Sequence, residues 1–577
     1  MTEIRGETGA ENKTRPQRTM PFLTRLVAYS PGLYTLATLG WVVFHLWPLV
    51  PGLLGKALFD VIEGRAAVGV TVWTLIGLTV AVGLARCAAI IGATVAWAGW
   101  YQRARGLIQY NLLRRVFSRP GAQAVPGTMG ESISTVRDDS DDIAQMGGWG
   151  FDLFSGVVFV VGGVGILLWV DVTVTLMVML PLAVVLTGAQ LLRSRAYRVR
   201  EQSRAATARV AGTIGDIVTG VRAIKAADKE EQVIGRLRVH NEARRRAMVR
   251  DRVQSLALDS LFNSTATLGA GLVLLVAAGR MRAGTFTVGD FVLFSTYLMQ
   301  IADYTGFMGY LVRTYQQAGV AFARATTLLQ GAQPMTLVHH RPLYLRGREP
   351  EPEAVPNAEP FQRFEVRSLS YTFPGTDRGI HDVSFDVRPG TITVITGEVG
   401  SGKTTLLRAM LGLYEGATGE IWWNGERVDE PAEFLVPPRV AYTPQTPRLL
   451  SGTLRENVLL GLPDEGRAER AVRQAVLESD LGQIPGGLDA QVGVRGVRLS
   501  GGQVQRAAAA RMFARSAPLM VMDDLSSALD VETERELWRG VLSTAATCIV
   551  VSHRPAVLEH ADQVVLMQQG RVVVTST

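Results

Sequence analysis

Six stretches of this chain run for about the thickness of a bilayer with almost no Asp, Glu, Lys or Arg, and nothing else in the sequence limits the fold so strongly. They are 26–55, 66–102 with only Arg86 inside it, 153–170 and 172–192 on either side of Asp171, 260–279, and 291–312 with only Asp303 inside it. About 20 apolar residues of helix cross the hydrocarbon, whereas an unpaired charge there is expensive, so these runs read as six transmembrane helices. The joints alternate between short (56–65, 171, 280–290) and long (103–152, 193–259). The long ones carry dense arginine, from Arg103 to Arg119 and from Arg193 to Arg209, which places them in the cytoplasm together with both termini. Residues 1–22 are polar and read as a disordered cytosolic tail rather than a signal peptide.

Composition agrees. Of 577 residues 47% are hydrophobic and 19% charged, which rules out disorder as the main state and is too apolar for a purely soluble protein. The net charge of +7 comes from 59 basic against 52 acidic residues, and only Lys13, Lys56, Lys225, Lys229 and Lys403 are lysines. The arginine excess reads as solvated helix faces and headgroup anchors, so no nucleic-acid partner is expected. Cys87 and Cys548 stand far apart in segments of different character and supply neither a disulfide framework nor a metal cluster.

After the last span the chain changes character at EPEPEAVPNAEP (349–360), where Pro and Glu favour an extended linker. From Phe361 short β-type runs (FEVRSLSYTF, VSFDV, TITVIT, LMVMDD, TCIVVS, QVVLM) alternate with helical stretches, the rhythm of an α/β domain. The expected organisation is a tail at 1–22, a membrane domain at 23–330, a linker at 331–360 and a soluble domain at 361–577. In fold class this is a membrane α-helical domain, six transmembrane helices with long cytoplasmic extensions, joined to an α/β domain that the glycine-rich turn GEVGSGKTT (397–405), between a strand and a helix, marks as a P-loop ATPase.

The chemistry lies in the soluble part. TITVITGEVGSGKTTLLRAML is a strand, a glycine-rich turn and a helix start. Gly397, Gly400 and Gly402 let the backbone of Glu398, Val399 and Ser401 turn its N–H groups toward phosphate oxygens at a helix N-terminus. Lys403 would bridge the outer phosphates, Thr404 would ligate Mg²⁺, and Thr405 completes the loop. In PLMVMDDLSSALD a buried strand delivers Asp523 for Mg²⁺ and Asp524 for the attacking water.

With LSGGQ at Leu499, Ser500, Gly501, Gly502 and Gln503 just upstream, the domain resembles the nucleotide-binding domain of ATP-binding cassette (ABC) transporters. The resemblance implies further roles. Gln445 in YTPQTPRLL is similar to the Q-loop that contacts Mg²⁺, His553 in IVVSHR to the switch histidine, and Asp530 in SALD to the D-loop aspartate at a dimer interface. Phe373, with Tyr371 two positions earlier, matches the aromatic that stacks on adenine. Asp524, His553 and Gln445 would then be the catalytic set, ATP and Mg²⁺ the cofactors, and Thr404, Gln445 and Asp523 the metal ligands. GTMGESISTVRDDSDDI (127–143) and GDIVTGVRAIKAADKEE (215–231) are similar to the intracellular loops of six-helix ABC exporters, and TVGDFVLFSTYL (287–298) to the start of their sixth helix.

One membrane half with one ATPase half implies a half-transporter whose partner is a second half-transporter, the same chain or a paralogous subunit. The implied setting is a lipid bilayer, the bacterial inner membrane, and the implied cargo a small amphipathic or hydrophobic molecule, lipid or peptide, moved outward. Polar residues inside the spans (His45, Arg86, Asp259, Asn263, Gln300 and Asp303) are expected to face a cavity or pair with one another; Arg86, Asp303 and Gln300 are the candidates for lining a substrate cavity. Two positions depart from the family. Asp524 stands where Glu is usual, one methylene short, which predicts slow hydrolysis, and Val494 stands where exporters often carry Glu. A regulatory, weakly hydrolysing subunit and an importer of the same architecture stay open as alternatives.

Overall fold

The computed structural model describes residues 20–65, 71–118, 126, 128–345, 347, 360–493, 499–526, 529–543 and 546–576. These divide into two compact units, one taking in the residues up to Val116 and Pro126–Leu345, the other Phe117, Ser118 and those after Leu345.

The first unit is helical, and the described part of each of the six charge-poor runs lies mainly on helix. The first run is broken: Pro31–Leu46 and Leu49–Ile62 are separated at Trp47 and Pro48, where proline offers no N–H to continue the ladder. Val72–Ser118 and Gly150–Val170 follow, then the long antiparallel pair Val172–Ala226 and Glu230–Arg282, and finally Val288–Leu328. Among the described residues, Pro31–Ile62, Val72–Ser118 and Met129–Val170 are long and apolar enough to cross a membrane by length and composition. Local signals set the helix ends. Asp171 accepts from Val174 N–H at 3.0 Å to cap one helix and also pairs with Arg280, while Thr287 and Asp290 form a reciprocal capping box at the start of the last.

Small residues let the helices close up on that last helix. A Cβ at Gly52 would lie 2.3 Å from the Tyr297 ring, and one at Gly156 would lie 2.3 Å from the Tyr304 ring. His45 meets Asp152 across helices at 2.5 Å, both buried, among the rings of Trp41, Phe44, Tyr304 and Phe307. The acidic run at 138–142 is also engaged: Arg324 donates to Asp139 at 2.9 and 2.5 Å, and Gln317 to Asp142 at 3.0 and 2.9 Å.

The first part of the stretch expected as linker, up to Leu345, falls within the helical unit. Pro334–Val338 is a 3₁₀ turn with Leu337 and Val338 buried, and Asn111 donates to the carbonyls of Leu337 and His339 at 3.0 and 2.9 Å. Tyr29 donates to the Arg341 carbonyl at 2.7 Å, so this segment packs on the membrane unit through backbone acceptors that composition does not reveal.

The second unit holds a six-stranded sheet in the order Arg571–Ser576, Gln563–Gln568, Ile392–Gly397, Thr547–Val551, Leu519–Asp523, Val440–Thr443. Every neighbouring pair is parallel except the first. The adjacent interior strands Leu519–Asp523 and Thr547–Val551 are buried along their whole length, as strands covered on both faces must be. One face carries the helix Lys403–Met410 and an antiparallel sheet built on Phe364–Thr372, Gly379–Val387 and Thr418–Trp423; the other carries Gly501–Phe513 and Val531–Ser543.

Candidate nucleotide site

Parallel strands end on the same side, so the turns after Gly397, Asp523, Thr443 and Val551 bring the glycine loop, the paired aspartates, Gln445 and His553 to one edge of the sheet. The glycine loop needs its glycines. Gly397 has φ +143° and a Cβ there would lie 2.1 Å from the Met567 carbonyl oxygen, while Gly402, at φ +99°, precedes the first residue of the helix. Lys403 Nζ donates to the Gly397 and Glu398 carbonyls at 2.8 and 2.7 Å, which curls the side chain over the loop. Burial lowers the Lys403 pKa, and the nearby charges of Asp523 and Asp524 oppose that shift. Val399 is fully exposed at the apex, and Ser401 is buried beneath it.

Thr404 Oγ1 donates to Asp523 Oδ1 at 3.0 Å. Asp523 is fully buried, which raises its pKa; the Thr404 hydrogen bond and the charge of Arg408 pull the other way. Asp523 Oδ2 and Asp524 Oδ1 are both buried without a hydrogen-bond partner. The orphaned Asp523 Oδ2, on the same carboxyl that the Thr404 hydroxyl bonds, is a hard oxygen that fits Mg²⁺, which binds a few protein oxygens and takes the rest from water and phosphate. Asp524 sits in the left-handed region at φ +52°, its N–H donating to the Val551 carbonyl at 3.1 Å and its Oδ2 accepting from Gln445 Nε2 at 3.4 Å. His553 is exposed, one residue beyond buried Ser552.

The two aromatic candidates part company. Tyr371 is a core ring: it stacks on Tyr414 at 4.5 Å and 7°, which covers its face. Phe373 stands edge-on to both and is 36% exposed. Phe373→Ala is therefore expected to raise the KM for ATP severalfold with little change in melting temperature, since base stacking is worth ~1–3 kcal/mol. Tyr371→Ala should instead lower the melting temperature, as loss of a core ring costs ~3–5 kcal/mol. Titrating ATP hydrolysis and melting both variants checks the assignment.

Ser500 and Gln503 form a capping box that starts the helix Gly501–Phe513, and Gln503 donates to Asp480 at 2.9 Å. Among the described residues no hydrogen bond or ion pair joins 499–503 to the glycine loop of the same chain. Asp530 caps Val531–Ser543, accepting from the Glu532 and Thr533 N–H groups at 3.1 and 3.0 Å and from the Thr533 hydroxyl at 2.7 Å; these bonds lower its pKa. Val494 and the side chains of Asp259 and Asn263 lie outside the described residues. Arg86 packs over the rings of Phe44 and Trp47 at 4.8 and 5.6 Å, Gln300 is half-buried and Asp303 is exposed. Arg408, whose charge acts on Asp523, and Tyr414 are missing from the sequence-based set. Arg408 was within reach, because it lies four residues after Thr404 and so on the same helix face.

A strand, glycine loop and helix on a parallel sheet, in one chain with three described helices apolar enough to cross a membrane, define a membrane-bound P-loop ATPase. Residues 38–303 match the family described as the ABC transporter transmembrane region, and residues 380–527 match the family described as ABC transporter. The chain belongs to the ABC transporters as a half-subunit of the six-helix exporter type, with membrane and nucleotide-binding domains fused. It is similar to the ATP-dependent lipid A-core flippase of Xanthomonas campestris pv. campestris strain 8004, 29% identical over 490 residues that cover 82% of this chain and 78% of that one. The flippase of Bordetella avium strain 197N is 28% identical over 478 residues, covering 81% and 78%. That of Pseudomonas fluorescens strain Pf0-1 is 39% identical over 222 residues, 37% of each chain. The solved structure of a bacterial Atm1-family ABC exporter with ATP bound shares the fold, with a TM-score of 0.69, 21% identity, and coverage of 96% of this chain and 95% of that one.

Proposed function

We propose that this chain is one half of a dimeric exporter that hydrolyses ATP to drive an amphipathic, lipid-like molecule outward across a bacterial inner membrane. The observation that carries this reading is the convergence of Lys403, Thr404, Asp523 and Gln445 on one sheet edge, in a chain whose other half is apolar helix. The relatives reported above are ATP-dependent flippases of lipid A-core, which supports a lipid-like cargo.

In this reading the N–H groups of Glu398 to Thr405 cradle the phosphates and Lys403 leaves its carbonyl partners to neutralise the outer two. Thr404, Asp523 and Gln445 would hold Mg²⁺, which supplies further positive charge on the phosphate oxygens when bound. Asp524 accepts the proton of the attacking water, Gln445 and His553 orient the water and the terminal phosphate, and Phe373 stacks on the base. The signature Leu499–Gln503 closes on the phosphate loop of the second half-transporter, with Asp530 at the seam. Arg86, Gln300 and Asp303 line the path of the cargo.

Asp524 favours a second reading, a regulatory subunit whose partner carries the turnover. Purified alone in lipid nanodiscs, the chain is expected to hydrolyse ATP at a rate that rises with added amphiphilic lipid. A chain that binds ATP yet turns over only when mixed with a second half-transporter supports the regulatory reading instead.

A further inference from the structure

The segments that carry two of the hydrolytic side chains leave the sheet as neighbours. Strand Leu519–Asp523 continues into Asp524, Leu525 and Ser526, and strand Thr547–Val551 continues into Ser552, His553 and Arg554. The Asp524 N–H bond to the Val551 carbonyl, at 3.1 Å, joins their backbones at the sheet edge. Past that point a side chain from a third element takes over. Glu534, on the first turn of Val531–Ser543 and only 4% exposed, accepts from Ser526 Oγ at 2.6 Å through one oxygen and from Arg554 Nη1 at 2.5 Å through the other.

A buried carboxylate is costly unless both oxygens are engaged, and here each is engaged by a different segment. The helix under Glu534 is itself fixed, because Asp530 caps it with the hydroxyl and N–H of Thr533. Ser526 lies two residues after Asp524, and Arg554 lies one after His553. We propose that Glu534 is a positioning residue for ATP hydrolysis: by holding Ser526 and Arg554 together it sets the separation of Asp524 and His553. The inference rests on the hydrolytic reading above. It asks for little movement, since a misplacement of ~1 Å in a reacting geometry can cost ~10²-fold in rate.

The test uses the full chain in lipid nanodiscs. Glu534→Gln keeps the size of the side chain and an acceptor for Ser526 but removes the anion that holds Arg554; kcat is expected to fall about tenfold while the KM for ATP stays within about twofold. Ser526→Ala cuts the other link without stranding a buried charge, and kcat should fall about threefold. In a His553→Ala background Glu534→Gln should add less than about a twofold loss, because the partner it positions is gone. A merely structural Glu534 would lower the melting temperature and cost the same factor in both backgrounds. Equal losses in the two backgrounds, or wild-type kcat in Glu534→Gln and Ser526→Ala, overturn the proposal; if Glu534→Gln does not fold, Ser526→Ala decides alone. A wild-type chain without Lys403-dependent hydrolysis overturns the reading beneath it, whereas normal wild-type hydrolysis with unaffected variants overturns only the role of Glu534.

Discussion

Replacing Lys403 by Ala is expected to abolish ATP-driven turnover and transport, a loss of at least ~10³-fold, or ~4 kcal/mol of transition-state stabilisation. The glycine loop supplies many N–H dipoles but a single full positive charge, and that charge is Lys403, the only lysine after Lys229. Its ammonium already lies over the loop, 2.8 and 2.7 Å from the Gly397 and Glu398 carbonyls. Phosphoryl transfer is catalysed almost entirely by positioning and charge stabilisation, so no remaining group in the loop can substitute. Lys403→Arg should fail nearly as badly, because a planar guanidinium cannot act as a compact point charge between the two outer phosphates. Steady-state hydrolysis decides the matter, with melting curves to show that both variants fold; wild-type turnover in Lys403→Ala would contradict the assignment.

The second large effect is expected at Asp524. Its carboxylate sits one bond length further back than a glutamate would, and among the described residues its hydrogen bond is a long one, 3.4 Å from Gln445. Asp524→Glu should extend the base toward the water and raise hydrolysis severalfold, a gain of ~1 kcal/mol. Asp524→Asn removes the base and should cost ~10²-fold or more where this chain works with a copy of itself. Where a partner's site carries the turnover, Asp524→Asn changes little. One assay on the two variants therefore separates the two kinds of dimer. A rate unchanged or lowered by Asp524→Glu, with a large loss in Asp524→Asn, would show that Asp524 already reaches its water.

The sequence was most legible where one physical demand dominated. Charge-poor runs overlap all three helices that are, among the described residues, long and apolar enough to cross a membrane, because hydrocarbon tolerates little else, and the strand-glycine-helix pattern is a strand, a glycine turn and a helix in the structure. Long-range partners were hidden. Nothing near His45 in the sequence points to Asp152, and nothing near Ser526 or Arg554 singles out Glu534. The strand Val440–Thr443 escaped notice because a run of only four residues, shortly after a proline pair, has no period to read. Sequence already favours Phe373, which precedes Pro374, and the Tyr414 ring lying against Tyr371 leaves Phe373 as the more exposed of the two.

The most direct test of ATP-driven export is lipid movement in liposomes containing the full chain. With ATP and Mg²⁺ added outside, the molecules whose nucleotide-binding domains face outward should carry an acyl-labelled fluorescent lipid from the outer to the inner leaflet. The fraction protected from a membrane-impermeant quencher is then expected to rise with ATP and to stay at its starting level with Lys403→Ala. A protected fraction that ATP does not change, or that rises equally with Lys403→Ala, would contradict the account.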